Sequence, residues 1–315
     1  MTQFGYDTSG SQVVEAFKDV VKGKIFLITG PSDGGIGAET ATCLVAGSPA
    51  LIVLAGRSLG KIQPVIDRIN ATNPAVRTKF INLELGSQAS VREAAASINA
   101  NVEKIDVLIN NAAVMACPFS KTVDGIESQF GTNHIGHFLL TNLIMPKILA
   151  AGPGARIVNV SSVSHRMADV NLNDYNFEHG AEYHPSIAYG AAKSANILFT
   201  LALARRLESE QVKAISLHPG SVATNLQTYM TPELAEDTMQ MIRDKTGRPF
   251  ERPKLKSTQQ GCSTTLVAVL DPSINSGDYL EDCNPAEPEA HATDKQKAEK
   301  LWDLSEKLVG QKFDL

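Results

Sequence analysis

Short apolar runs rich in β-branched residues recur along the first two-thirds of this 315-residue chain, each followed by a longer stretch of helical periodicity. This alternation constrains the fold more than any other feature, because parallel strands need long crossover connections and helices supply them. The runs lie at 24–29 (KIFLIT), 50–55, 79–83, 107–109, 156–160 and 213–217, with a last short one at 278–280. They are almost uniformly apolar rather than alternating, so helices must cover both faces of each strand. Those helices are expected at 35–47, 58–70, 87–100, 123–150 and 186–208. The pattern predicts one doubly wound α/β domain over residues 1–315, with a parallel sheet of about seven strands. Segment 227–256 breaks the rhythm, being polar and rich in Met, Pro and charge. It follows the sixth strand, where open α/β sheets place ligand-covering elements, and is read as a substrate lid.

Composition narrows the partners. A content of 43% hydrophobic and 20% charged residues suits a globular protein with a large core. A formal charge of −5 and no local Lys/Arg cluster give no footprint for nucleic acid or an anionic membrane, so a small molecule is the expected partner. Cys43, Cys117, Cys262 and Cys283 are scattered without metal-ligand or CxxC spacing and are expected to be reduced structural thiols, with no metal. The first residues lack the charged start and apolar run of a signal peptide, and the apolar stretches are expected to be too short to span a bilayer, which predicts a cytoplasmic protein without a membrane anchor.

After the first strand comes Thr29-Gly30-Pro31-Ser32-Asp33-Gly34-Gly35-Ile36-Gly37, running straight into a helix. A glycine-rich turn alone is often only a tight turn. At this position its glycines admit close backbone approach, and free N–H groups with the positive helix end can meet a pyrophosphate, as in a Rossmann domain. The second strand ends at Gly56-Arg57-Ser58, where an acid would favour NAD(H). An arginine instead can pair bidentately with a 2′-phosphate, so Arg57, helped by the hydroxyls of Ser58 and Ser32, predicts NADP(H). Asp33, in the same turn, opposes that if its carboxylate points inward.

Tyr189 and Lys193, in SIAYGAAK, are four residues apart on one helix face. A free phenol titrates near pKa ~10, and an adjacent ammonium is expected to lower it toward working pH, making Tyr189 a general acid or base. The fifth strand ends in Val160-Ser161-Ser162, at the sheet edge where ligands bind, so Ser162 is expected to share a substrate oxygen with Tyr189.

With these three features in this order the chain resembles the short-chain dehydrogenase/reductase family. Asn110-Asn111-Ala112-Ala113 is similar to that family's Asn-Asn-Ala-Gly motif, and Asn133 in TNHIGHFLLTNLI to its relay asparagine. The stretch from His218 through Pro219, Gly220, Ser221 and Val222 to Thr224 is similar to its nicotinamide-flanking segment. RIVNVSSVSHR, YGAAKSANILFTLALARRL and the tail with LWDLSEKLVG resemble the retinol-dehydrogenase and WW-domain-oxidoreductase branch, over residues 24–310. The resemblance implies that Ser162 orients the substrate oxygen, Lys193 binds the nicotinamide ribose and tunes Tyr189, and Asn133 holds a relay water. It further implies that Gly30, Gly35, Ile36, Gly37, Glu84, Asn111, Ala112, Pro219, Gly220, Val222 and Thr224 lie along the cofactor. It leaves open a homodimer through the helices at 123–150 and 186–208. The chain departs from the family in a turn one residue longer, in Ala113 for a glycine, and in Glu84 for an aspartate.

The expected activity is therefore reversible hydride transfer between NADP(H) and a lipophilic ketone, aldehyde or alcohol. The alternatives are a catalytically silent NADP(H)-binding regulator, which has no use for the Tyr/Lys pair, and an isomerase or epimerase on the same scaffold. His165, His179 and His184 lie between Ser162 and Tyr189 and, as isolated loop histidines, are expected to be solvated and are given no role.

Overall fold

The computed structural model describes residues 4–247 and 254–315. One sheet contains β1 (Ile25–Thr29), β2 (Leu51–Gly56), β3 (Arg77–Asn82), β4 (Val107–Asn110), β5 (Arg156–Val160), β6 (Lys213–His218), β7 (Tyr279–Glu281) and β8 (Asn284–Ala286). Their order is β3-β2-β1-β4-β5-β6-β7-β8, all parallel except β8, which runs antiparallel to β7. The eighth strand exceeds the expected seven. It carries Pro285, which an edge strand tolerates because one side of it needs no ladder bonds.

The helices are α1 (Gly10–Ala16), α2 (Lys18–Val21), α3 (Ile36–Leu44), α4 (Leu59–Thr72), α5 (Gln88–Asn101), α6 (Ser128–Phe130), α7 (Gly136–Leu143), α8 (Met145–Leu149), α9 (Pro185–Arg206), α10 (Pro232–Thr246), α11 (Thr258–Leu270) and α12 (Lys295–Val309). Along β1, Ile25 and Leu27 enter a core layer with α5, α7, α9 and α12, while Phe26 and Ile28 enter the opposite layer with α1, α3, α4 and α11. Uniform apolarity of the strands thus has the expected cause. All four cysteines are buried, and none of them forms a disulfide.

The long helix expected at 123–150 is broken. It starts after Glu127, whose buried carboxylate accepts from the amides of Gln129 and Phe130 at 2.8 and 2.7 Å. A π-turn over Gly131–Ile135 follows α6, and Pro146, which lacks an N–H, separates α7 from α8. The expectation about apolar stretches also needs correction: α9 is long and apolar enough to cross a bilayer, yet 83% of that stretch is buried inside the protein. Its apolarity serves the core.

Candidate active site

Strand order reverses between β1 and β4, and open α/β sheets bind ligands at the carboxyl edge of such a switch point. The turn after Thr29, Asn111 and Ala112 after β4, Ser161 and Ser162 after β5, and the 219–224 segment after β6 all meet at that edge.

Gly30 has φ +66, and a Cβ there would lie 2.8 Å from the Cα of Ala112, so the turn is pressed against the end of β4. The two are stitched together by Asn111, whose Nδ2 donates to the Thr29 carbonyl at 2.8 Å, and by Thr29 Oγ1, which accepts from the amides of Asn111 and Ala112 at 2.9 and 3.0 Å. His137 completes this knot. Its Nδ1 bonds the Asn133 carbonyl at 3.0 Å, so Nδ1 carries the proton and Nε2 accepts from Thr29 Oγ1 at 2.8 Å. Burial holds the imidazole neutral, with its pKa pushed down to about 4. The turn then opens a nine-residue helix whose capping residue, Gly35, supplies no side-chain hydrogen bond. The first amides of α3, at Ile36 and Gly37, thereby suit a pyrophosphate. Asn111 and Ala112 hold the turn in shape from behind.

At the far end, Arg57 is largely exposed and pairs with Glu84 at 3.3 Å, so the Glu84 carboxylate lies beside it. Asp33 is turned onto α4, where Arg68 binds it at 2.8 Å. Its charge, which as an inward-pointing carboxylate would repel a 2′-phosphate, is therefore offset by a second arginine. Ser32 accepts the Gly35 amide through its carbonyl, and Ser58 caps α4 without a side-chain bond.

Ser162, Tyr189 and Lys193 are brought together. The Ser162 hydroxyl, which donates to Ser164 Oγ at 3.2 Å, lies beside the Tyr189 phenol and partly offsets the effect of its burial. Lys193 Nζ lies 5.5 Å from the centre of the tyrosine ring and donates to the Val160 carbonyl at 2.8 Å. The electrostatics depart from the sequence expectation. Burial pushes the phenol above its ordinary range and the lysine down to about 7. An amine so desolvated is only partly charged at neutral pH, so it does not hold the phenol acidic in the protein alone. Asn133 is anchored at its side chain: Oδ1 accepts from the Val114 amide at 2.8 Å and Nδ2 donates to the Val114 carbonyl at 2.9 Å.

The lysine shift has a sign that can be checked. The unfolded chain holds the proton up to pKa ~10.4, the folded chain only to about 7, so stability rises with pH between those values and the cost of burying the ammonium is fully present below them. Lys193→Met is expected to flatten this rise by about 2 kcal/mol between pH 7.5 and 9.5, measured by chemical denaturation at both. An unaltered slope would contradict the buried amine.

Beyond β6, Val222 is buried, Thr224 Oγ1 caps the next turn by accepting from the Leu226 amide at 3.3 Å, and the Lys256 side chain lies against Gly220, next to Pro219. Lys256 is fully covered, pairing with Asp282 at 2.5 Å beneath the Tyr6 ring. Sequence reasoning did not find this support. In the lid segment, α10 latches onto the start of α9: His184 Nε2 donates to Asp237 at 2.8 Å, and Ser186 and Thr238 hydroxyls bond at 2.7 Å. Lys245 Nζ reaches the carbonyls of Arg166 and Met167 at 2.8 and 3.0 Å, so α10 also spans the Ser162 loop. Residues 248–253 of that segment lie outside the described residues. His184 is thus engaged rather than solvated. His137 was missed as well, although its spacing of four from Asn133 was a legible signal.

The doubly wound sheet, the glycine turn and the Ser162–Tyr189–Lys193 group define an oxidoreductase that uses a nicotinamide cofactor. Residues 24–177 match the short chain dehydrogenase model. Short-chain dehydrogenase/reductase prx1 of Penicillium roqueforti is 38% identical, across 92% of this chain and 86% of the relative. Retinol dehydrogenase 12 of Mus musculus is 36% identical across 93% and 89%. A solved protein from Mycobacterium paratuberculosis superposes with a TM-score of 0.72 at 33% identity, covering 93% of this chain and 96% of that one. The chain belongs to the short-chain dehydrogenase/reductase family.

Proposed function

We propose that the protein reduces a lipophilic ketone or aldehyde with NADPH, Tyr189 delivering the proton and Ser162 orienting the carbonyl oxygen. The observation that carries this reading is the phenol of Tyr189, buried beside Ser162 and the Lys193 amine at the carboxyl edge of the sheet. When bound, the nicotinamide supplies the hydride. A phenol kept protonated at neutral pH is the form needed to give a proton to the developing alkoxide, and Ser162 shares that oxygen. In this reading Lys193 binds the nicotinamide ribose, and Asn133 and His137 hold the neighbouring backbone in shape. An apolar substrate is supported by half-buried Leu234, Met239 and Met241 on α10 and by the exposed Val163 and Tyr229. The names of relatives such as retinol dehydrogenase 12 agree with that class.

The test is NADPH consumption, followed at its absorbance band, against lipophilic ketones, aldehydes and quinones. Stoichiometric consumption with one class supports reduction. Product without consumption would replace the reading by isomerisation, and binding without turnover of any member by a silent regulator.

NADPH preference is supported by Arg57 with Asp33 offset by Arg68. Arg57→Ala is expected to weaken NADPH binding about 10- to 100-fold, the worth of a charge-assisted bidentate pair, with NADH affinity little changed. Titration of both nucleotides by fluorescence checks it, and an unchanged ratio would remove Arg57 from cofactor selection.

A further inference from the structure

We propose that His165 is a positioning residue for carbonyl reduction, a clamp that ties the backbone of Ser162 to the C-terminal segment and so aims the serine hydroxyl at the Tyr189 phenol; this rests on the reductase reading above. His165 is fully buried three residues beyond Ser162. Its ring Nδ1 donates to the Ser162 carbonyl at 2.7 Å, its own backbone amide donates to that carbonyl at 3.0 Å, and its Nε2 accepts from the Glu289 amide at 3.1 Å. A carbonyl only accepts and an amide only donates, so both ring nitrogens are assigned and the ring is neutral with its proton on Nδ1.

The surroundings lock that ring. Tyr279 of β7 stacks edge-on at 5.2 Å, and the His165 carbonyl accepts from His291 Nε2 at 3.0 Å, while Ser194 Oγ of α9, 3.1 Å from that carbonyl, donates more closely to the Ala168 carbonyl at 2.7 Å. The charged and titratable groups facing it are Arg166 of its own turn, Glu281 of β7, His291 and His218 of β6; burial dominates and lowers the imidazole pKa. Ser162 is thus held from both sides. Ser161 is tied to β6 through the Leu217 carbonyl at 2.7 Å and to α9 through the Lys193 carbonyl at 2.8 Å. The loop also presses on α9 beside Tyr189, where a Cβ on Gly190 would lie 2.6 Å from the Ser164 carbonyl. Misplacing a catalytic group by a fraction of an ångström costs rate without weakening cofactor binding.

Two measurements test this. Nitrogen-15 spectra of histidine-labelled protein at pH 7.5 should show a neutral, Nδ1-protonated ring for His165; an Nε2-protonated or cationic ring would overturn the proposal. In kinetics with NADPH and all-trans-retinal, or the panel member turned over fastest, His165→Ala should lower kcat about 10-fold with NADPH affinity unchanged. The same change in a Ser162→Ala background should have almost no effect, because the clamp acts through that serine. If His165→Ala fails to fold, His165→Asn, whose amide sits at the Nδ1 position and can donate to the Ser162 carbonyl, should retain more kcat than His165→Gln, whose longer side chain places its amide at the Nε2 position beside the Glu289 amide; the reverse order would overturn the proposal. Wild-type kcat in His165→Ala, or an equal loss in both backgrounds, would also overturn it. Tyr189→Phe separates the failures: if that variant turns over normally the reductase reading falls, whereas if it is inactive the His165 results bear on the clamp alone.

Discussion

Replacing Tyr189 by phenylalanine is expected to lower kcat by roughly 10²- to 10⁴-fold, the range for removing a general acid, while NADPH affinity stays within about twofold. Phenylalanine preserves the ring that packs in the buried site and removes only the hydroxyl that lies beside Ser162. Because the phenol is buried and held protonated, its loss should also spare the fold. Equilibrium cofactor titration together with single-turnover rates reads both parts. Full activity in this variant would end the proposed chemistry, since among the described residues no other phenol lies beside the strand-end serine.

The second large effect concerns acid stability. His134, packed among Phe130, Phe138 and Phe199, donates through Nε2 to Ser305 at 2.9 Å, while its Nδ1 is buried without a partner. Burial, with His137 nearby, lowers its pKa to about 3. The unfolded chain takes up this proton near pKa ~6.5, before the folded chain does, so the stabilisation is fully present above that value and is lost as pH falls toward the folded one. His137 and His218, lowered to about 4 and about 3, act in the same direction. Each site should cost about 2 kcal/mol of stability on going from pH 7.5 to 5. His134→Phe should shrink the difference between denaturation midpoints at those two pH values by its share. An identical pH difference in both proteins would mean that His134 does not remain neutral in the core.

How much of this was legible in the sequence varies with the range of the interaction. All seven expected strands exist, because uniform apolarity between turn residues is a local signal of a sheet covered on both faces. The glycine turn, Arg57 and the Tyr189/Lys193 spacing were also readable, since each reports a backbone or helix-face requirement set within a few residues. Helix α11 was not, because its residues from Gly261 to Leu270 are all buried and an all-round buried helix shows no polar face to mark its period. The break at Gly131–Ile135 was hidden for a related reason: the residues suit a continuous helix, and Glu127 and Pro146 decide where it starts and divides.

By itself, then, the sequence determined the layered fold, the glycine turn at its carboxyl edge and the identity of the side chains gathered there. Tertiary structure alone decided their state. It reversed the expected charge relation of Tyr189 and Lys193, because desolvation of a buried pair outweighs the attraction that spacing on a helix suggests. It bound the Asn133 side chain to Val114, turned Asp33 onto Arg68, and made His165 a buried bridge between Ser162 and Glu289. Each of these outcomes depends on a partner that is distant in sequence or on exclusion of water, and neither is written in local spacing.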